Sequence, residues 1–199
     1  MIRPRVRSRP FTIVDGAILL LGLALAVFVA IWFDPLFLEE PHLFRGFGPP
    51  RSWLPIWAVG LDLPMKRATV DATAALIPVS LAVALATFRR PIGGCRRVGG
   101  SPGLTASAVV AVAVVAEIAI VGLDHRSHAR HWEVPAFWIA LLNDFQFDVS
   151  APVGAAWAYQ GVGRLWHPRD DWRDWLGRWL GGAWLGLIGL GFLHLAIWG

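Results

Sequence analysis

The feature that most constrains this chain is a set of apolar runs, each close to 20 residues, separated by short segments dense in arginine. A helix rises about 1.5 Å per residue, so about 20 apolar residues cross the roughly 30 Å hydrocarbon core of a bilayer. In lipid every backbone N–H and C=O must be satisfied within the chain, which makes helices the expected form of such runs. The sequence therefore predicts an all-α integral membrane protein. The expected architecture is a five-helix transmembrane bundle, a single membrane domain over residues 1–199. The predicted spans are 11–33, 68–88, 104–123, 149–166 and 179–198, with an outer loop at 34–67 and a short interfacial helix at 134–147.

Local chemistry sets these boundaries. The first run follows "MIRPRVRSR", which holds four arginines. It is longer than the apolar region of a secretory leader and is followed by no small-residue cleavage site, so it reads as a retained signal anchor. The second run contains Pro78, a kink that neighbouring helices tolerate in a membrane. The third is dominated by alanine and valine and contains Glu117. The fourth is the shortest, with Ser150 as its N-cap and Pro152 in its first turn. If it does not cross, the bundle has four helices. Upstream, "VPAFWIALLNDFQF" is broken by Asn143 and Asp144 and reads as a helix lying on the surface. The alternative is fusion with the fourth run into one long tilted helix.

Composition agrees. Only 16% of residues are charged and 56% are hydrophobic, whereas about a quarter of an ordinary soluble domain is charged. Twelve tryptophans against one tyrosine, most at the ends of apolar runs, suit indoles at lipid headgroups. The net charge of +4 does not imply nucleic acid, because the basic residues flank the spans and form no aromatic-laced basic domain. Of 18 Lys and Arg, twelve lie before span one, between spans two and three, and from Arg164 to Arg178. The positive-inside rule then places the N-terminus in the cytoplasm and, with five spans, the C-terminus outside. A single cysteine, Cys95, excludes an internal disulfide and a cysteine-cluster metal site.

Small residues mark where helices approach closely in lipid. Span two carries Ala74, Ala75, Pro78, Ala82 and Ala86; span four carries Ala151, Gly154, Ala158 and Gly161. Span five carries Gly177-x-x-x-Gly181 and Gly182-x-x-x-Gly186. Either a compact bundle or a partner subunit uses such faces.

Ionisable groups inside spans are the functional candidates, since each costs about 2.5–3.5 kcal/mol to insert. Asp15 lies near the first arginines and is expected to meet water or an arginine. Asp71 lies four residues after Arg67, the spacing of an ion pair along one helix. Glu117 is the deepest acid, and His194 lies at a similar depth in span five. Glu117, Asp71 and His194 form the candidate intramembrane polar site. Gln160 and Arg164 read as packing glue and a snorkelling cation. The turn "DHRSHARH" sets His125, His128 and His131 at intervals of three, which suits a metal such as Zn, Cu or Ni. It brushes against the histidine boxes of membrane di-iron hydroxylases and desaturases. Those need about eight histidines with adjacent pairs, and this chain has six and no adjacent pair. No G-x-S-x-G, H-E-x-x-H or Walker loop is present, and Ser80 and Ser107 have no catalytic context.

The run "GAAWAYQGVGRLWHPRDDWRDWLGRWLGGAWLG", from Gly154 to Gly186, resembles a segment of small, uncharacterised multi-pass membrane proteins of planctomycete-type bacteria. The "FRRP" to "SPG" loop before it is similar too. The resemblance implies a bacterial origin and a membrane protein, and no particular activity; the expected location is the bacterial cytoplasmic membrane. The expected role is that of a non-catalytic scaffold or accessory subunit of a membrane complex. The alternatives are a small transporter or proton-coupled channel using the intramembrane acids, and a metal-binding protein using the His125–His131 turn. No cofactor is expected. The expected partners are the lipid bilayer and a membrane protein or second copy, not nucleic acid.

Overall fold

Local capping explains where the helices begin. Thr12 and Asp15 form a reciprocal cap: Asp15 Oδ2 accepts from Thr12 N at 2.9 Å, and Asp15 N donates to Thr12 Oγ1 at 3.4 Å. Ser101 caps the helix that Pro102 opens, its Oγ accepting from Leu104 N at 3.4 Å. Asp171 caps the last helix, its Oδ1 accepting from Arg173 N at 3.2 Å. In the computed structural model, which describes residues 10–39, 62–89, 100–128, 134–163, 165–167 and 171–198, these caps open three of five long helices. They are α1 (Ile13–Glu39), α2 (Asp62–Phe88), α3 (Pro102–His128), α4 (Val134–Val162) and α5 (Trp172–Trp198). There is no strand among the described residues.

Four helices contain stretches long and apolar enough to cross a membrane: Ile13–Trp32, Arg67–Phe88, Pro102–Ile120 and Trp172–His194. The separate interfacial helix expected at 134–147 is not present. That segment and the fourth run form one continuous helix, α4. Asn143 and Asp144 do not break it, because an isolated polar residue leaves the backbone hydrogen bonds of a helix intact. Ser150 is therefore not an N-cap, and Pro152 lies well inside the helix. The last helix, α5, starts at Trp172, ahead of the span predicted at 179–198, so the end of the basic segment Arg164–Arg178 forms its first two turns.

Side-chain contacts fix the directions. Asp15 of α1 meets Arg89 just past α2, and Phe11 meets Trp172 at the start of α5, with ring centroids 5.0 Å apart. Gln160 near the end of α4 meets Thr105 near the start of α3. Successive helices thus alternate in direction. The starts of α1, α3 and α5 and the ends of α2 and α4 share one end of the bundle, called the base here. Helices α2 to α5 all pack on one another, while α1 lies mainly against α2. The core is built from Val83 of α2, Val110 and Val114 of α3, Phe145, Val149 and Val153 of α4, and Leu180, Trp184 and Leu187 of α5.

Polarity is inverted relative to a soluble bundle. Buried polar residues include Asp15, Thr73, Ser80, Ser101, Ser150, Gln160 and Asp174, while Leu20, Phe28, Leu85, Val112, Ile118 and Phe192 face outward. A helix apolar all round with its polar groups turned inward suits lipid on the outside.

Candidate functional site

Three polar clasps join the helices, and none is readable from motif patterns. The first lies at the base between α3 and α5. Asp174, fully buried, accepts a hydrogen bond from Ser101 Oγ and another from Gly103 N at 2.7 Å. Its other oxygen lies 3.3 Å from Arg178 Nε, one turn along α5. A carboxylate at the start of one helix thus satisfies donors at the start of another, where the helix dipole favours negative charge. The helices touch backbone to backbone here: a Cβ on Gly103 would overlap the Asp174 carbonyl, and one on Gly177 would overlap the Gly103 carbonyl. From α4, Trp157 Nε1 donates to Pro102 O at 3.0 Å and Gln160 Nε2 to Thr105 Oγ1 at 2.8 Å. The loop adds a bond from His167 N to Gly100 O at 3.1 Å.

The second clasp joins α1 to α2. Arg89 Nε donates to Asp15 Oδ1 at 2.8 Å, and its Nη2 donates to Thr12 Oγ1 at 2.7 Å. Asp15 therefore meets an arginine, as its position near the basic segments implies. Removing one partner of a buried pair leaves an uncompensated charge. Arg89→Met is expected to cost about 3 kcal/mol, and Asp15→Asn in the same chain to recover much of it. Thermal unfolding of the purified single and double variants checks this.

The third clasp lies at mid-height. Trp184, fully buried, donates from Nε1 to Ser80 Oγ at 3.0 Å. Ser80 Oγ in turn donates to Leu76 O at 2.6 Å, and Ser150 Oγ donates to Trp184 O at 2.7 Å. Phe145 stacks on the indole at 6.3 Å between centroids. One tryptophan ties α2, α4 and α5 together and fills the bundle centre. Ser80, which has no catalytic context in the sequence, is part of this tie. Ser107 is buried against Gly177.

The candidate intramembrane site divides. Asp71 is half-buried and lies 3.8 Å from Arg67, the pair that their spacing suggests. It precedes Pro78 by seven residues and Ala82 by eleven, so it shares their face of α2. That face meets α1, where Pro78 O and Ala82 surround Gly22. Ser80, by contrast, faces α5. The small-residue stripe of α2 thus seats α1, and Asp71 stands on that side. Glu117 and His194 lie elsewhere. Glu117 is half-buried and continues the inward row Gly103, Ser107, Val110, Val114 of α3, while residues 115, 116 and 118–120 are exposed. His194, also half-buried, continues the row Leu180, Leu187 of α5. Both engage other groups of the chain.

Among the small residues, Gly177 and Gly181 make the close approaches within the chain, Gly181 against Trp157 and Ala106. Gly154 lies 3.4 Å from Leu185, measured from where its Cβ would be. Ala158 is exposed, and among the described residues nothing lies within 4 Å of where a Cβ on Gly161, Gly182 or Gly186 would stand. Their faces are open to whatever surrounds the bundle. Among the described residues no three His, Cys, Asp or Glu side chains are grouped to hold a metal. His125 and His128 lie in the last turn of α3, but their side chains, together with His131 and Cys95, fall outside the described residues. Comparison with protein-family models, with curated proteins and with solved structures found no match.

Proposed function

We propose that the chain is an integral protein of a bacterial cytoplasmic membrane that acts without catalysis, as a scaffold or accessory subunit of a membrane complex. The observation that carries this reading is the closed bundle axis. Trp184, backed by Phe145 and bonded to Ser80, occupies the place that a transport route through the helices would need. The buried polar residues at this level and at the base serve helix-to-helix bonds instead. The outward apolar surface supports lipid as the first partner. Arginines gather at the base, which the positive-inside rule assigns to the cytoplasm, so the end of α5 faces outside.

The open face of α5 supports a second partner. Gly182 and Gly186 lie one turn apart, and among the described residues nothing lies within 4 Å of where a Cβ on either would stand. Small residues exposed in this way let another helix approach closely. Because no described residue uses this space, Gly182→Leu with Gly186→Leu is expected to leave the chain's own thermal stability within about 0.5 kcal/mol. Purification from native membranes in mild detergent is expected to yield a membrane protein at fixed stoichiometry with the native chain and to lose it with the double variant. Recovery of the native chain alone, or equal recovery of the partner by both chains, overturns the accessory reading.

A further inference from the structure

Three arginines at the base, Arg89, Arg173 and Arg178, differ in how they use their donors. Arg89 donates to Asp15 and to Thr12, and Arg173 donates twice to Asp171. Arg178 faces Asp174 at 3.3 Å, yet its Nε is buried and donates no hydrogen bond. Its side chain is also the most exposed of the three, at 36% against 18% and 13%. The Asp174 carboxylate takes its hydrogen bonds from Ser101 and Gly103 instead. A guanidinium holds its N–H donors in a planar fork that fits the paired oxygens of a phosphate. Arg178 therefore keeps near the surface a fork that no described residue fills.

The surroundings of the fork suit a lipid headgroup. Trp175, Arg178 and Trp179 are spaced i, i+3 and i+4, so they share one side of α5. Both indoles are more than half exposed, with ring centroids 5.8 Å apart. They stand in the first two turns of the apolar stretch Trp172–His194, the level at which indoles meet the headgroups of a bilayer. The segments that adjoin the base hold twelve arginines against Asp15, Asp170, Asp171 and Asp174. A headgroup with net negative charge is drawn to that excess, whereas a zwitterionic one carries an ammonium that the same charge repels.

We propose that Arg178, Trp175 and Trp179 form a binding site for an anionic phospholipid of phosphatidylglycerol type. The phosphate lies on the terminal N–H groups of Arg178, and the indoles flank the glycerol backbone. Asp174 does not compete for this place, because it is fully buried and engages Arg178 through Nε. The site ends about one turn nearer the base than Gly182, apart from the face that takes a partner helix. The inference rests on the membrane reading and not on the accessory role.

Reconstitution of the purified full chain into bilayers of equal phosphatidylglycerol and phosphatidylcholine, with matched acyl chains, tests it. After extraction in mild detergent, the lipids that stay with the chain are counted by mass spectrometry. The native chain is expected to retain the anionic lipid roughly fivefold over the zwitterionic one. Trp175→Leu with Trp179→Leu, and separately Arg178→Gln, are expected to lower that ratio toward parity. The tryptophan variant changes exposed side chains only, so it reports on the site even where Arg178→Gln weakens the clasp at Asp174. Arg7→Gln removes one charge from the basic segment before α1 and is expected to leave the ratio unchanged. Equal retention of the two lipids by the native chain, an enrichment that survives either variant, or an equal loss with Arg7→Gln overturns the proposal. A chain that stays out of the bilayers overturns the membrane reading instead.

Discussion

Gly103→Ala is expected to cost about 3 kcal/mol, at the upper end of what overpacking does to a well-packed interior. The added methyl would occupy the position of the Asp174 carbonyl, a backbone atom that cannot swing aside. To make room, α3 and α5 must separate at the base. Separation also stretches the bonds from Ser101 Oγ and Gly103 N to the buried Asp174 carboxylate. Hydrogen bonds to a charged group contribute about 1.5–3 kcal/mol each, so steric and polar losses act together. Denaturant titration of the purified chain checks the size, with Gly182→Ala as the control. That glycine has open space where its Cβ would lie, and its substitution is expected to be neutral or slightly stabilising through higher helix propensity. If the two alanine variants unfold alike, α3 and α5 do not touch as described.

Trp184→Ala is expected to lower stability by about 3 kcal/mol, the low end of the range for removing a buried aromatic. On the proposed membrane reading the low end applies, because a chain unfolded within lipid never returns its side chains to water. The loss is then mostly of van der Waals contact and not of the hydrophobic effect. Trp184→Phe keeps most of that packing and gives up the bond from Nε1 to Ser80, a loss of about 1 kcal/mol. The order native, Phe, Ala in unfolding midpoint is the expected result. A Phe variant as weak as the Ala variant shows the hydrogen bond, not the filled volume, to be what Trp184 supplies.

Much of the fold was legible in order and length. Apolar runs separated by arginine-rich segments mark helices α1, α2, α3 and α5, because a run without charge or turn chemistry has few other ways to satisfy its backbone. The pairing of Asp71 with Arg67 was legible too, since both lie on one helix at fixed spacing. The fused α4 was less so. Asn143, Asp144 and Pro152 are all unfavourable for a helix in isolation, and packing against α3 and α5 outweighs them.

The sequence by itself determined that the chain is helical and apolar, where four of the long apolar runs lie and which segments are basic, because these follow from local composition and from the fixed rise of a helix. The partners of the buried polar groups were decided by tertiary structure alone. Asp174 reads as one of several charges in "HPRDDWRDW" until α5 extends back to Trp172 and carries it beneath Ser101 and Gly103. Asp71, Glu117 and His194 share a depth in the sequence, yet only the rotation of α2 shows that Asp71 stands on the α1 side, while the other two continue rows of buried residues on α3 and α5. Depth depends on position along one helix. Facing depends on how that helix turns against its neighbours, and no single stretch of sequence contains that angle.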